Sequence, residues 1–399
     1  MSFLRVYCLY VPRVLARVVL IEFFKTFWNF LGEPLVECFN TSFVKGEMSP
    51  SQRQAVITSI EKKDQDQRDL QNWRPISLLN VDTKIASKVT AEGMKSLLPK
   101  LIHSNQSGYI SGRNISENIR SILDIVDYTK IRNLPGILFF IDFEKAFDSL
   151  EGTFLEKCLN QFGFGPDFIR WVNIFCKDIQ SCILNNGRCS QYFNIERGLR
   201  EGDPPSPYLF VTAVEILAIA IHSQDDNKGI KLNKFETKLL QFADDTTVVL
   251  SDFDSARALY VLLDRFEKVA GLKLNVAKTE AMWIGSHQNC ENEPLGVKWK
   301  TCVKFLGIFI TYDVQILVEK NFKQRLKKIR NAINLWKSRG LSIYGKVNII
   351  KAILLPKLIY PSILISTPSE VIKEFNNLVF HFFMEREGQS YSKFNICTL

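Results

Sequence analysis

Histidine is scarce in this chain, four residues in 399, and none of the nine cysteines forms a C-x-x-C pair. The ligand spacing of a structural zinc site is therefore missing, as is the cysteine framework of a disulfide-bonded secreted domain. Free thiols that pack as small hydrophobes, in an intracellular setting of nucleus or cytoplasm, are the reading left. A clean membrane-spanning run near the start is missing too. Residues 7–20 are apolar, but Pro12, Arg13 and Arg17 interrupt them and Arg5 precedes them. No uncharged stretch there reaches the roughly 18–20 residues that a spanning helix needs, and no small-residue cleavage site follows. The expectation is an amphipathic or atypical N-terminal piece, with no signal peptide and no stable membrane association. No internal repeat stands out.

Acid is absent from residues 320–369, which hold eleven Lys or Arg. Taking those eleven from the 51 basic residues leaves 40 against 42 acids, so the surplus behind the net charge of +9 lies in this one segment. Within it Phe322, Leu326, Ile329, Ile333 and Trp336 recur at spacings of four and three, an apolar helical stripe, with Lys323, Arg325, Lys327, Lys328 and Arg330 on the other faces. Such a helix can pack on a core and grip phosphates at once. A solvated lysine-rich face is the plainer alternative.

What the chain has in plenty is apolar material, 46% hydrophobic residues with 30 Phe, enough for a core spread over two or three subdomains. Ile137-Leu138-Phe139-Phe140-Ile141 reads as a buried strand by its unbroken β-branched and aromatic run, and it ends at Asp142. Further along, Phe242-Ala243-Asp244-Asp245 places two adjacent carboxylates at the tip of an apolar hairpin, with Leu239-Leu240-Gln241 leading in and Thr246-Thr247-Val248-Val249-Leu250 leading out. Carboxylates brought together repel and raise one another's pKa unless a divalent cation neutralises them. Mg²⁺ is the natural candidate. It takes few protein carboxylates and leaves positions for water and phosphate oxygens, as a two-metal phosphoryl-transfer site with ions roughly 3.5–4 Å apart requires. Ordinary turn chemistry is the competing reading of the tetrapeptide alone.

Elsewhere strands and helices mix without a regular βαβ rhythm, so the class is α+β. Residues 61–72 are charged and aperiodic, an exposed loop. Trp73-Arg74-Pro75 opens an extended turn, and residues 82–98 carry helical spacing up to a stop at Pro99. Residues 106–113 form a glycine-bearing strand or loop before an amphipathic helix over about 116–131. Pro166 begins a helix with Phe168, Ile169, Val172 and Phe175 inside. Asn186-Gly187, between residues 181–185 and 188–193, suits a two-residue primed turn. After a Gly/Pro loop from Gly198, Ser206-Pro207 caps an apolar helix over 208–221.

Taken in order, these elements have the sequence of a known family. They are Asp142 followed by Phe143-Glu144-Lys145-Ala146-Phe147-Asp148, the loop Gly202-Asp203-Pro204-Pro205-Ser206-Pro207, the Asp244-Asp245 hairpin, Gly271-Leu272-Lys273-Leu274-Asn275 with Lys278-Thr279, and Phe305-Leu306-Gly307. The series resembles the reverse transcriptase of LINE-type, non-LTR retrotransposons. Residues 73–80 and Gly112-Arg113 are similar to that group's finger motifs, and the similarity runs from about Leu20 to about Phe383.

The resemblance implies a right-hand polymerase with an antiparallel palm sheet and a helical, basic thumb. The N-terminal extension would occupy 1–48, its first ~20 residues atypical, with fingers in 49–135 and 166–195 and palm in 136–165 and 196–312. The thumb and a truncated C-terminal connection would fill 313–399, the reverse transcriptase domain as a whole covering about 66–310. The implied activity is RNA-directed DNA synthesis, in which a DNA primer is extended on an RNA template with deoxynucleoside triphosphates. Asp142 and Asp244 would hold two Mg²⁺ ions, with Mn²⁺ as a substitute, Asp245 converging with them and Phe143 adding its carbonyl oxygen. Phe147 would lie beneath the incoming sugar and exclude a ribose 2′ hydroxyl; without the resemblance, a core aromatic is the plainer reading. Arg74 and Arg113 would reach the triphosphate or the template backbone, with Gly202 also on the nucleotide side. Lys278 would give a proton to departing pyrophosphate, an exposed strand lysine being the alternative. Phe305, Leu306 and Gly307 would seat the primer end, while Glu201, Lys323, Lys327 and Arg330 would face template and primer.

Two departures touch the template side. The loop carries Glu201 and Pro205 where the resembling family usually has Gln and Leu. A carboxylate facing nucleic acid repels where an amide donates and accepts, and Pro205 removes a backbone N–H. The first twenty residues do not match, and neither an endonuclease domain nor a Cys/His-rich tail is seen. The expectation is a truncated or decaying element copy. The second reading is accordingly a catalytically impaired relic that still binds nucleic acid. A viral RNA-dependent RNA polymerase is a third, opposed by Phe147.

Overall fold

The computed structural model describes residues 22–384 apart from 63–65, 233–234 and 292, so the apolar stretch at 7–20 lies outside the described residues. The chain forms two compact units and contributes three segments to each. Of the described residues, those up to Ser111 with Phe143–Ala220 and Leu262–Leu274 make the first; Gly112–Asp142, Ile221–Val261 and those from Asn275 onward make the second. Helices and sheets mix in both, and the class is α+β.

Along the chain, β1 (Gln54–Glu61) and β2 (Trp73–Leu79) pair antiparallel in the first unit. Trp73-Arg74-Pro75 is thus strand rather than turn. β2 is an edge strand, the one place in a sheet where the missing N–H of Pro75 is tolerated. Helix α1 (Val81–Leu101) passes the expected stop at Pro99 by two residues. A proline in a last turn forfeits only one ladder bond, and the Ile102 N–H resumes the ladder at the Leu98 carbonyl, 2.9 Å away. In the second unit α2 (Ile115–Arg132) starts at Asn114, whose side chain accepts from the Ser116 N–H at 3.0 Å, and β3 (Pro135–Ile141) follows. The first unit then adds α3 (Pro166–Cys176), β4 (Gln180–Asn185), β5 (Arg188–Cys189) and β6 (Phe193–Asn194). Asn186 and Gly187 are both left-handed, φ +47° and +78°, the primed turn expected between β4 and β5. Helix α4 (Ser206–Ser223) begins two residues early: the Pro205 carbonyl accepts from the Tyr208 and Leu209 N–H groups, so Pro205 stands at the cap position.

The second unit continues with β7 (Ile230–Leu232), β8 (Phe235–Thr237), β9 (Leu239–Phe242), β10 (Asp245–Leu250) and the first half of α5 (Phe253–Ala270), whose residues from Leu262 on belong to the first unit. After these come β11 (Glu280–Gly285), β12 (Lys298–Trp299), β13 (Cys302–Phe305) and β14 (Ile308–Thr311), then helices α6 (Gln324–Lys337), α7 (Leu355–Leu364) and α8 (Ser369–Met384). Its main sheet has the order β12-β11-β3-β10-β9, antiparallel except for β11 with β12. β3 is central and covered on both faces. Leu138 and Phe140 join Ile119, Ile122 and Val126 of α2 in one core, and Phe139 on the opposite face meets Tyr260 edge-on at 5.8 Å. This is why its sequence shows no alternation. Each fully buried side chain here contributes about 1.5–3 kcal/mol. The apolar stripe packs as the spacing predicts, Phe322 just before α6 and Leu326, Ile329 and Ile333 within it sharing one core with Leu358 of α7 and Phe375 of α8. By length and composition alone, α4 and the helical stretch Ile343–Leu364 are long and apolar enough to cross a membrane; 61% of the first is buried within the protein.

Candidate functional site

The ladder between β3 and β10 sets Thr246 opposite Ile141, so one step further along Asp245 stands level with Asp142. Side chains alternate along a strand, which puts Asp142 on the face of Leu138 and Phe140 and Asp245 on the same face across the ladder. Asp245 also pairs with Phe242 of β9, leaving Ala243-Asp244 as a two-residue turn with Ala243 left-handed at φ +56°. Asp244 therefore sits at the tip of the hairpin. Both residues of the pair are exposed, and Asp142 is half-buried. The main chain of Asp142 is pinned from one side. Its N–H donates to Thr279 Oγ1 at 3.3 Å and its carbonyl accepts from the Asn275 N–H at 2.8 Å.

Among the described residues, no three His, Cys, Asp or Glu side chains gather closely enough to hold an ion by themselves. Asp244 lies in the turn, where the alternation of an extended strand does not apply, and Asp245 opens β10. What remains is a set of hard carboxylate oxygens at a strand end. That suits Mg²⁺, which takes one or two carboxylates and completes its shell with water and substrate phosphates. Phe143, whose carbonyl is the fourth expected ligand, begins the next segment of the first unit.

Of the other expected residues of the second unit, five lie apart from the basic helix. Lys278 lies two residues before β11, whose first residue Glu280 stands opposite Phe140 of β3. Lys278 is exposed, and it lies in a turn rather than a strand, its N–H bonded to the Asn275 carbonyl at 3.1 Å. Phe305 is buried with its ring 5.5 Å from that of Phe140, and Leu306-Gly307 form the two-residue turn from β13 to β14. Leu306 is left-handed at φ +45°, a conformation that costs a residue with a Cβ roughly 1–2 kcal/mol. Gly307 follows at φ +81°. Arg113, half-buried, lies in the loop before α2.

The first unit holds the rest of the residues expected on the nucleotide side and in the loop. Phe147 stacks on Phe210, and its carbonyl accepts from the Leu199 N–H at 2.7 Å. Arg74 is exposed on the edge strand β2. The loop carrying Glu201 is bonded to that strand, the Ser77 N–H donating to the Glu201 carbonyl at 2.7 Å. Gly202 adopts φ +109°, and a Cβ there would stand 2.5 Å from the Ser77 carbonyl oxygen, so glycine is required by close backbone approach. Arg200 and Asp203 are buried beside this loop, and Arg200 Nη2 donates to the Phe175 carbonyl at 3.3 Å. Burial pushes the Asp203 carboxyl above the ordinary carboxylate range, with Arg200, Ser87 and Lys84 opposing the shift. The sequence carries no local signal for this buried pair, since Arg200 is followed by Glu201 in a Gly/Pro loop.

On the basic helix, two of the three expected phosphate contacts have acidic neighbours. Lys323 lies 3.4 Å from Glu319 and Arg330 lies 2.7 Å from Glu374; both acids come from just outside the acid-free segment. Lys327 is exposed.

The family model described as Reverse transcriptase (RNA-dependent DNA polymerase) matches residues 60–310, more than half of the chain, and the chain belongs to the reverse transcriptase family. Its relatives are those of non-LTR retrotransposons. It is 27% identical over 367 residues to the Transposon TX1 uncharacterized 149 kDa protein of Xenopus laevis, covering 91% of this chain and 28% of that one. Against the RNA-directed DNA polymerase from mobile element jockey of Drosophila melanogaster, identity is 22% over 343 residues, 81% of this chain and 36% of the relative. Against the Pol polyprotein from the Drosophila melanogaster type-2 element R2DM it is 27% over 212 residues, 52% of this chain and 19% of the relative. The chain thus spans well under half the length of these relatives. Among solved structures, the telomerase of Candida albicans in complex with a fragment of telomeric RNA shares the fold, with a TM-score of 0.50 at 12% identity over 87% of this chain and 66% of that one.

Proposed function

We propose that this chain carries out RNA-directed DNA synthesis by two-metal nucleotidyl transfer, extending a DNA primer on an RNA template with deoxynucleoside triphosphates. The observation that carries the reading is the ladder position of Asp142 and Asp245, level on adjoining strands of one sheet with Asp244 at the turn between β9 and β10. Asp142 and Asp244 would hold the ions, with Asp245 assisting. When bound, Mg²⁺ neutralises phosphate charge and activates the primer 3′ hydroxyl. The contribution of the chain itself is position. Asn275 and Thr279 fix the main chain of Asp142, so its carboxylate need not reorganise as charge develops. Lys278, in the turn that precedes β11, is the proton donor to departing pyrophosphate. Lys323, Lys327 and Arg330 supply cations along one helix for phosphates.

The test is Mg²⁺-dependent primer extension by the purified chain on an RNA template. Incorporation is expected with wild type and abolished by Asp244→Asn with the fold retained. Incorporation unchanged in Asp244→Asn rejects these aspartates as ion anchors.

A second reading rests on Glu201, which puts a carboxylate on a loop where an amide would favour nucleic acid. On that reading the chain binds template and primer but does not extend them. Salt-sensitive binding with no incorporation by wild type, and incorporation gained in Glu201→Gln, would select it.

A further inference from the structure

The turn at Leu306-Gly307 is held in an unfavourable shape by two side chains from the helices that follow it. Tyr360 of α7 donates its hydroxyl to the Leu306 carbonyl at 2.6 Å, and Arg325 of α6 donates Nη2 to the Gly307 carbonyl at 2.6 Å. Arg325 Nη1 also reaches the Lys357 carbonyl of α7 at 3.4 Å, and its guanidinium lies 5.8 Å from the Tyr360 ring centre. One planar fork thus ties both helices to the turn. A two-residue primed turn ordinarily takes Asn or Gly at its first central position, and here that position is Leu306 at φ +45°. A bulky residue keeps such a conformation only where its surroundings over-determine it, and these two donors to consecutive carbonyls do so.

The turn is in turn linked to the aspartate strand. Phe305, immediately before it, packs on Phe140, and Phe140 is two residues ahead of Asp142 on the same strand face. A path therefore leads from the basic helix through Arg325, the turn and the Phe305–Phe140 ring contact to the strand that ends at Asp142, all within the second unit.

We infer that Arg325 and Tyr360 are positioning residues: they lock the Leu306-Gly307 turn and so fix where a primer 3′ end lies relative to Asp142. The inference rests on the polymerase reading. Neither residue touches the reacting atoms, and both act through the two carbonyls they hold. Tyr360→Phe removes one hydrogen bond and keeps the ring, while Arg325→Gln removes the charge and one arm of the fork.

The experiment uses an RNA template annealed to a DNA primer carrying 2-aminopurine at its 3′ end, with the whole chain as wild type, Tyr360→Phe, Arg325→Gln, the double variant and Arg325→Lys. Three quantities are read on each: the affinity for the duplex, the fluorescence of the primer-end probe when bound, and the single-turnover extension rate at saturating duplex. Affinity is expected to stay within about twofold, because phosphate contacts elsewhere supply most of it. The probe signal shifts in Tyr360→Phe and in Arg325→Gln, and the extension rate falls on the order of 10- to 100-fold in the double variant, as for a reactive end misplaced by about an ångström. Arg325→Lys recovers part of the rate. Loss of melting temperature with an unchanged probe signal in the folded fraction overturns the inference, as does a probe on wild type that does not respond to binding. Wild type that binds and shifts the probe without extending removes the polymerase reading and leaves the locked turn standing.

Discussion

Phe147 stacks on Phe210 with ring centroids 4.5 Å apart and planes inclined by 20°. Both residues belong to the first unit, so this contact serves packing whatever else Phe147 does. A half-buried aromatic of this kind gives two separable expectations. Phe147→Ala lowers unfolding free energy by about 2–4 kcal/mol, from lost burial plus the ring pair, measured by urea denaturation. Phe147→Val keeps more of the packing but shortens the side chain. In primer extension it raises ribonucleotide use relative to deoxynucleotide by roughly 10-fold or more, the scale of a few missing carbons in a shaped pocket. Reduced stability with an unaltered nucleotide ratio makes the ring a core residue only.

The loop around Gly202 separates structural demand from template chemistry. Gly202→Ala places a Cβ 2.5 Å from the Ser77 carbonyl oxygen in a left-handed residue, and is expected to destabilise by more than about 2 kcal/mol. Pro205→Leu is expected to cost less than about 1 kcal/mol, because α4 uses the Pro205 carbonyl and has no need of its N–H. Glu201→Gln leaves the main-chain bond from Ser77 in place. It should leave the melting temperature alone and strengthen template binding, and a template affinity that does not move would remove the carboxylate from the nucleic-acid path.

The aspartates were legible in the sequence for a definite reason. β3 is buried on both faces, so its apolar run has no interruption until Asp142, and the ladder that aligns Asp142 with Asp245 then follows from a two-residue hairpin. The primed turn at Asn186-Gly187 and the stripe of α6 were legible because each is a local pattern of φ or of spacing. What was hidden is long-range. Tyr360 reaches Leu306 across 54 residues and Arg325 reaches Gly307 across 18, and no periodicity records either contact. The acid-free run 320–369 overstated the free positive charge in the same way, because Glu374 meets Arg330 only after α8 folds back on α6.

Those ion pairs lead to an unequal salt dependence. A lysine that exchanges counterions for phosphate contributes about 0.9 to the slope of log affinity against log salt on duplex. Lys327→Ala should therefore flatten the slope by about that amount. Arg330→Ala and Lys323→Ala should flatten it by less, since Glu374 and Glu319 already neutralise part of each charge. Equal slopes for all three variants, read by fluorescence anisotropy across a salt series, would mean that the acids release their partners on binding.

Arg200 and Asp203 give a pH test with a definite sign. Burial raises the Asp203 carboxyl and Arg200 opposes the rise, so the folded chain binds a proton where the unfolded chain has released it. The stabilising contribution is complete below the ordinary carboxylate value and is lost as pH climbs through the raised folded value. Arg200→Met removes the opposing cation and extends that window upward. Near neutral pH this variant leaves a buried carboxylate uncompensated and is expected to lose about 3–5 kcal/mol. As pH falls through the window Asp203 takes up its proton, and most of the deficit relative to wild type should disappear in urea unfolding. Adding Asp203→Asn to the variant removes the titrating group, and the double variant should follow the pH profile of the remaining chain. A deficit in Arg200→Met that stays constant over the same range would mean that the methionine fails by shape rather than by charge.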